Sequence, residues 1–144
     1  MLRKIRNGEE FIIANDPVRP HIPITDRIKD GREVYVLEDD KGNISAVLCI
    51  AYTTEVPTNE NDLDTLLCKD GSIAVAYTVW SYSKGSGRVI INQARELIKQ
   101  NKSIDRLVTL SPLTDMARNF HLKNGATFLA KHFDCQNFEY NLND

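Results

Sequence analysis

The chain is short of cysteine, of net charge and of long hydrophobic runs, and each shortage removes a class of protein. Its three cysteines, Cys49, Cys68 and Cys135, are widely spaced and form no C-x-x-C pair. Neither a disulfide framework nor a zinc site is suggested, and reduced thiols in the cytoplasm are the expectation. Eighteen Lys and Arg against 20 Asp and Glu leave a formal charge of −2. That gives no footprint for a nucleic acid or an anionic membrane, so an anionic ligand would need a local site. The longest unbroken apolar run, Ala46 to Tyr52, has seven residues, far short of the roughly 20 that span a bilayer, and the first residues lack the apolar stretch of a secretion signal.

What is present is an ordinary globular mixture: 144 residues, 42% hydrophobic and 26% charged, with seven Gly and five Pro. A chain near this length buries roughly 68–70% of its unfolded surface, which is enough for one core, so a single domain over residues 1–144 is expected.

The segment Asp16-Pro17-Val18-Arg19-Pro20-His21-Ile22-Pro23 forbids a long regular helix and predicts a bent stretch with short helical turns over Asn15 to Asp30. Val34 to Leu37 and Ile44 to Thr53 are β-rich runs around the turn-forming string Asp39-Asp40-Lys41-Gly42-Asn43, which predicts a hairpin. Glu55 to Asp70 reads as a loop or short helix. Ile73 to Val79 is a continuous apolar run bounded by turn signals, as a strand covered on both faces requires.

After it come Ser81 to Arg88 and a helix over about Val89 to Gln100, with Ile90, Ile91, Ala94, Leu97 and Ile98 on one stripe. Arg106 to Leu110 is a second strand. Thr114 or Asp115 caps a short helix to Lys123, ended by Asn124-Gly125. Thr127 to Phe133 and Phe138 to Leu142 close the chain as an antiparallel pair. The order ββ, β, α, β, α, ββ predicts a mixed sheet with helices packed on it.

The loop Lys84-Gly85-Ser86-Gly87-Arg88 lies between a strand and a helix, where converging backbone N–H groups and the positive helix end suit an anion. It lacks the G-K-[ST] of a nucleoside triphosphatase, and a dinucleotide fingerprint would need a third glycine where Ile90 stands. A short cradle for a pyrophosphate remains, beside the alternative of a plain tight turn.

At these residues the chain resembles the GNAT superfamily of acyl-CoA-dependent N-acetyltransferases. That family's pyrophosphate loop reads Gln or Arg, two residues, Gly, one residue, then Gly or Ala. Gly85 and Gly87 match it, and Tyr82 stands at the leading position. Ala117 to Ala126 is similar to the family's second signature, with His121 where it has a tyrosine. More narrowly, Phe120-His121-Leu122-Lys123-Asn124-Gly125-Ala126 and Leu110-Ser111-Pro112 resemble segments of malonyl-CoA decarboxylases, whose catalytic domain has the same fold. Neither that family's long insertion nor its preceding helical domain is expected here. Cys49 falls where the family has an acid, and its catalytic serine maps equally onto Thr78, Trp80 or Ser81.

The resemblance implies an α+β, three-layer fold: a mixed, mostly antiparallel sheet with helices on both faces and a splayed central strand pair. It implies acetyl-CoA or another acyl-CoA as cosubstrate and no metal. The cofactor-binding residues would be Val79, Lys84, Gly85, Ser86, Gly87, Arg88 and Asn119. The thioester would lie at the opening near Tyr77 to Val79, with its carbonyl on a backbone N–H.

His121 would do the acid–base work, since an imidazole with an ordinary pKa near 6.5 gives up a proton readily at neutral pH; a structural helix histidine is the other reading. Trp80 is either an acceptor wall or core. Arg19 and His21 either line the acceptor cleft or lie satisfied at the surface, Glu55 is one of several acids placed to act as base, and Cys49 reads as a small buried hydrophobe. Three functions follow: transfer of an acyl group to a small-molecule or protein amine, decarboxylase-like or thioesterase-like chemistry, and silent acyl-CoA binding. A homodimer through the closing strands stays open.

Overall fold

A computed structural model describes residues 1–143. Strands β1 (Leu2–Lys4), β2 (Arg32–Glu38), β3 (Ile44–Thr53), β4 (Ile73–Ser81), β5 (Arg106–Thr109), β6 (Ser111–Pro112), β7 (Thr127–Lys131) and β8 (Cys135–Tyr140) form one sheet in the order β1-β2-β3-β4-β5-β8-β6, with β7 also on β8. Among the described residues only β4 and β5 pair in parallel, and the other pairs are antiparallel.

The β4 run is apolar but for Thr78 and the terminal Ser81 because both of its faces are covered. Val75, Tyr77 and Trp80 enter one core with Ile12, Ile13 and Leu63, while Ala74 and Ala76 enter another with Ile90, Ile91, Ala94 and Ile98. Short helices α1 (Ile24–Ile28) and α2 (Asp62–Thr65), with a 3-10 turn at Glu10–Asn15, cover the first face; α3 (Ser86–Lys99) and α4 (Asp115–Lys123) cover the second. The expected layers, the mostly antiparallel sheet and the helices on both faces are therefore present. Each buried isoleucine of α3 contributes roughly 1.5–3 kcal/mol of transfer free energy before conformational entropy is counted.

Two boundaries, one side chain and one extra strand differ from expectation. Helix α3 begins at Ser86, not Val89, because Gly85 takes φ +85° and turns the chain directly into the helix. Leu97 lies off the buried stripe and is exposed. Strand β8 starts at Cys135, where Gln136 donates to the Pro112 carbonyl and fixes the pairing with β6. The edge strand β1 is only three residues long, too short to show a period.

Two irregularities open the middle of the sheet. Between β3 and β4 the register steps from Ile50↔Ala76 to Cys49↔Thr78, leaving Tyr77 as the extra residue of a bulge. The β4–β5 ladder ends at Ala76↔Thr109, with one further bond from Leu110 N–H to the Ala76 carbonyl. Beyond it, Tyr77 to Ser81 of β4 run on without β5. This is the splayed pair.

Candidate functional site

The splay is held by residues from far away in the sequence. Asp16 has a fully buried carboxylate with four donors: Oδ1 accepts from the Val18 and Arg19 amides at 2.7 and 3.0 Å, and Oδ2 accepts from Arg27 Nη1 at 2.6 Å and Thr78 Oγ1 at 2.9 Å. The proline-flanked segment is thereby bent around Asp16 and pinned to the β4 bulge. Its next side chain, Arg19, is buried and spans the opening: Nε donates to the Tyr77 carbonyl and Nη2 to the Leu110 carbonyl, both at 2.9 Å. Nη1 pairs with Glu60 at 3.0 Å, and Glu60 in turn lies 2.7 Å from His21 Nε2. Arg19 is thus a structural bridge between the diverging strands. His21 is exposed at the rim.

On the other face, Gly85 and the first turn of α3 lie at the end of β4. Ser86 faces inward, its hydroxyl donating to the Ser45 carbonyl at 2.8 Å and its amide to the Ser83 carbonyl at 3.2 Å. Among the described residues the amides of Gly87 and Arg88 have no acceptor. No acidic side chain occupies this first turn, and Lys84 and Arg88 are exposed beside it. The positive end of a 14-residue helix is therefore uncompensated.

Gly87 has a second role. A Cβ there would come within 3.2 Å of the Phe120 ring, so the missing side chain lets α4 pack against the glycine turn. Val79 is half-buried on this face. The structure thus gathers Val79, Lys84, Gly85, Ser86, Gly87 and Arg88 at one end of β4, with Phe120 of α4 against them. Asn119 is exposed on α4.

His121 is one residue further along α4 and is buried, 5% exposed. Its Nδ1 is 2.7 Å from Tyr140 Oη, its ring stacks on Phe138 with centroids 5.4 Å apart, and Phe120 meets its edge. Burial lowers its pKa to about 4. The expectation of a group poised near 6.5 is corrected: the ring is neutral at pH 7. Sequence reasoning could not see Tyr140 as its partner.

Of the other readings, Trp80 is core, with its indole N–H donating to Tyr82 Oη at 3.0 Å. Cys49 is fully buried and its thiol is pushed up to about 11 by desolvation. Thr78 is committed to Asp16, while Ser81 and Glu55 are exposed. Asp16, Arg27, Arg32 and Glu60 were not anticipated. Among the described residues there is no group of three metal-ligating side chains, and no helix is long and apolar enough to cross a membrane.

A sheet opened between the parallel strands β4 and β5, beside an uncompensated helix start, can be compared with known folds. No family model matches the chain, and no curated protein does. Solved structures do. The GphF GNAT-like decarboxylase, in complex with isobutyryl-CoA, superposes with a TM-score of 0.79 over 99% of both chains at 12% identity. The chain has a GNAT fold. The same GNAT architecture recurs in the malonyl-CoA decarboxylase of Rhodopseudomonas palustris, with a TM-score of 0.74 and 17% identity over 100% of this chain and 56% of that one. It recurs again in spermidine N-acetyltransferase of Vibrio cholerae in complex with CoA and spermine, with a TM-score of 0.68 and 14% identity over 97% and 94%.

Proposed function

We propose that the chain is an acyl-CoA-dependent acyltransferase that moves an acyl group from CoA to an amine. One observation carries the reading: the segment of β4 beyond Ala76, paired with β3 but no longer with β5, ends beside two free amides at the start of α3. Solved structures of this fold hold isobutyryl-CoA and CoA.

In this reading the amides of Gly87 and Arg88 receive the pyrophosphate, Lys84 and Arg88 add charge, and Gly85 and Ser86 shape the turn. Asn119 contacts the cofactor from α4. The thioester lies along the opening, and a backbone N–H near Val79 stabilises the oxyanion that forms on attack. A neutral amine attacks the carbonyl carbon, a C–N bond forms and the C–S bond breaks. The nitrogen sheds a proton and the thiolate gains one.

A neutral imidazole suits a relay better than a resident acid. As the nitrogen lone pair joins the new amide its proton becomes strongly acidic, and His121 accepts it. An imidazolium whose pKa is about 4 then protonates an alkyl thiolate, a far stronger base, so both transfers run downhill.

Calorimetric titration with acetyl-CoA is expected to show saturable binding that weakens with added salt. The double variant Lys84→Ala, Arg88→Ala changes two exposed side chains and is expected to weaken it about tenfold, ~1.4 kcal/mol, with an unchanged melting temperature. No heat from acetyl-CoA at millimolar concentration overturns the reading.

The Phe120 to Ala126 and Leu110 to Pro112 resemblances favour a second reading, decarboxylation of malonyl-CoA, in which the same histidine protonates the enolate left by carbon dioxide. Incubation with malonyl-CoA and chromatography for acetyl-CoA separates the two: an absence of acetyl-CoA removes the second.

A further inference from the structure

On the α1 and α2 face of the sheet a cavity of about 260 Å³ opens between residues 21–26 and α2, with His21, Asp26, Arg32, Glu60, Leu63 and Asp64 in its wall. The wall joins charges of both signs. Asp26, Glu60 and Asp64 bring three carboxylates, each already engaged by Lys29, Arg19, His21 or Arg32.

Arg32 is different. Its side chain is 2% exposed, its Nη2 donates to Asp64 at 2.9 Å and its guanidinium lies 5.1 Å from the centre of the Tyr77 ring. Its Nε and Nη1 are buried without an acceptor among the described residues.

Tyr77 Oη, on the ring beside this guanidinium, is a third buried polar atom without a partner among the described residues. A buried polar group left unpaired costs roughly 1–3 kcal/mol, and even with Tyr77 Oη turned to one Arg32 donor the other is left for an acceptor outside the fold. An arginine fork matches the two oxygens of a carboxylate or a phosphate. The carboxylates around the same cavity oppose a phosphate dianion and favour a ligand that also carries a positive charge. A small cavity that pairs a buried guanidinium with an acidic rim is complementary to a zwitterion.

The position of Glu60 adds a direction. Its Oε1 is 3.0 Å from Arg19, the residue that bridges the opened strands, and its Oε2 is 2.7 Å from His21. A positive group held at Glu60 lies next to the opening, while Arg32 sits in the wall as the anchor for an anion.

We propose that this cavity binds a free α-amino acid, with its carboxylate toward Arg32 and its ammonium toward Glu60 and Asp26. The amino acid is the amine acceptor once its ammonium has given a proton to water, which leaves the neutral amine that attacks. That acceptor role rests on the acyl-transfer reading, and the binding does not.

The test uses the full chain without CoA, labelled with nitrogen-15 and titrated with each of the common L-amino acids, and then with the carboxamide and the deaminated acid of the tightest binder. Saturable shifts are expected in residues 21–26 and 60–64 and at the Arg32 side chain. The carboxamide and the deaminated acid should each bind about tenfold more weakly or worse, since each leaves one charged partner unmatched. Arg32→Gln should bring the amino acid down to the affinity of its carboxamide.

Should Arg32→Gln fail to fold, the half-exposed Glu60→Gln keeps the test open: it should abolish the preference for the amino acid over its deaminated acid. No saturable shift from any amino acid at about 50 mM, where even a millimolar Kd is saturated, overturns the proposal, as does equal affinity for the carboxamide. Acetyl-CoA binding with no amino-acid binding removes this inference alone. Amino-acid binding with no acetyl-CoA binding removes the acyl-transfer reading and leaves the site.

Discussion

Between pH 7 and pH 5 the protein is expected to lose about 2 kcal/mol of stability through His121 alone. Desolvation in the Phe120, Phe138 and Tyr140 surround lowers the folded pKa to about 4, whereas the unfolded chain titrates near the ordinary value of 6.5. Below 6.5 the unfolded state binds a proton that the folded state refuses, so stability is whole above that pH and falls as the pH drops toward 4.

The carboxylates held low by their partners act later. Asp64, Glu33 and Glu139 start from ordinary values of 3.8 and 4.5, so their contribution is lost chiefly below about pH 4.5. Urea denaturation followed by Trp80 fluorescence at pH 7 and pH 5 measures the difference. His121→Gln, which keeps a polar group facing Tyr140, should flatten it. An unchanged midpoint in the parent chain, or an equal loss in the variant, would show that His121 is not the buried neutral ring described. The same neutrality has a catalytic signature: the His121 ring protons should show no titration between about pH 5.5 and 8.

Much of the fold was legible because it rests on local periods. The β2–β3 hairpin follows from two β-rich runs and a turn string, α3 from a three- and four-residue apolar stripe, and the buried β4 from an apolar run without alternation. The glycine turn was legible too, since Gly85 needs a positive φ and Gly87 a close approach to Phe120.

The polar interior was not. Arg19 bonds carbonyls 58 and 91 residues away, and Asp16 bonds Thr78 at a separation of 62. Nothing local distinguishes a charged side chain destined for such partners from one destined for water, so Arg19 reads from sequence as a cleft or a surface residue and not as a buried bridge. His121 shows the converse: its place in a motif was readable, but its pKa was set by Phe138 and Tyr140, 17 and 19 residues later on another element. The composition showed a charge near zero, and the structure shows where the balance sits: positive charge exposed at the start of α3, and both signs interleaved beneath the opposite face.

Asp16→Ala is expected to destabilise the chain by about 3–5 kcal/mol, the range seen when one partner of a buried ion pair is removed. The pair is buried on both sides, with Asp16 at 0% and Arg27 at 1% side-chain exposure. The loss leaves the Arg27 charge with only neutral groups: the Arg19 and Ile22 carbonyls, and Cys49 Sγ at 3.7 Å, whose thiol is held protonated by a pKa pushed up to about 11. Thr78 Oγ1 and the amides of Val18 and Arg19 lose their acceptor as well.

Removing both charges should cost less than the sum of the two single changes. Asp16→Ala with Arg27→Met is therefore expected to recover part of the loss, and urea denaturation of the four chains gives the coupling directly. A single-variant cost under about 1 kcal/mol would mean that the pair does not hold the segment. The functional consequence travels through Arg19. Freed from Asp16, the turn at Val18 and Arg19 no longer fixes the guanidinium between the Tyr77 and Leu110 carbonyls, and the two strands lose the bridge that sets their separation. Acetyl-CoA affinity should then fall in the folded fraction of Asp16→Ala, although no atom of Asp16 approaches the α3 turn where the pyrophosphate is proposed to bind.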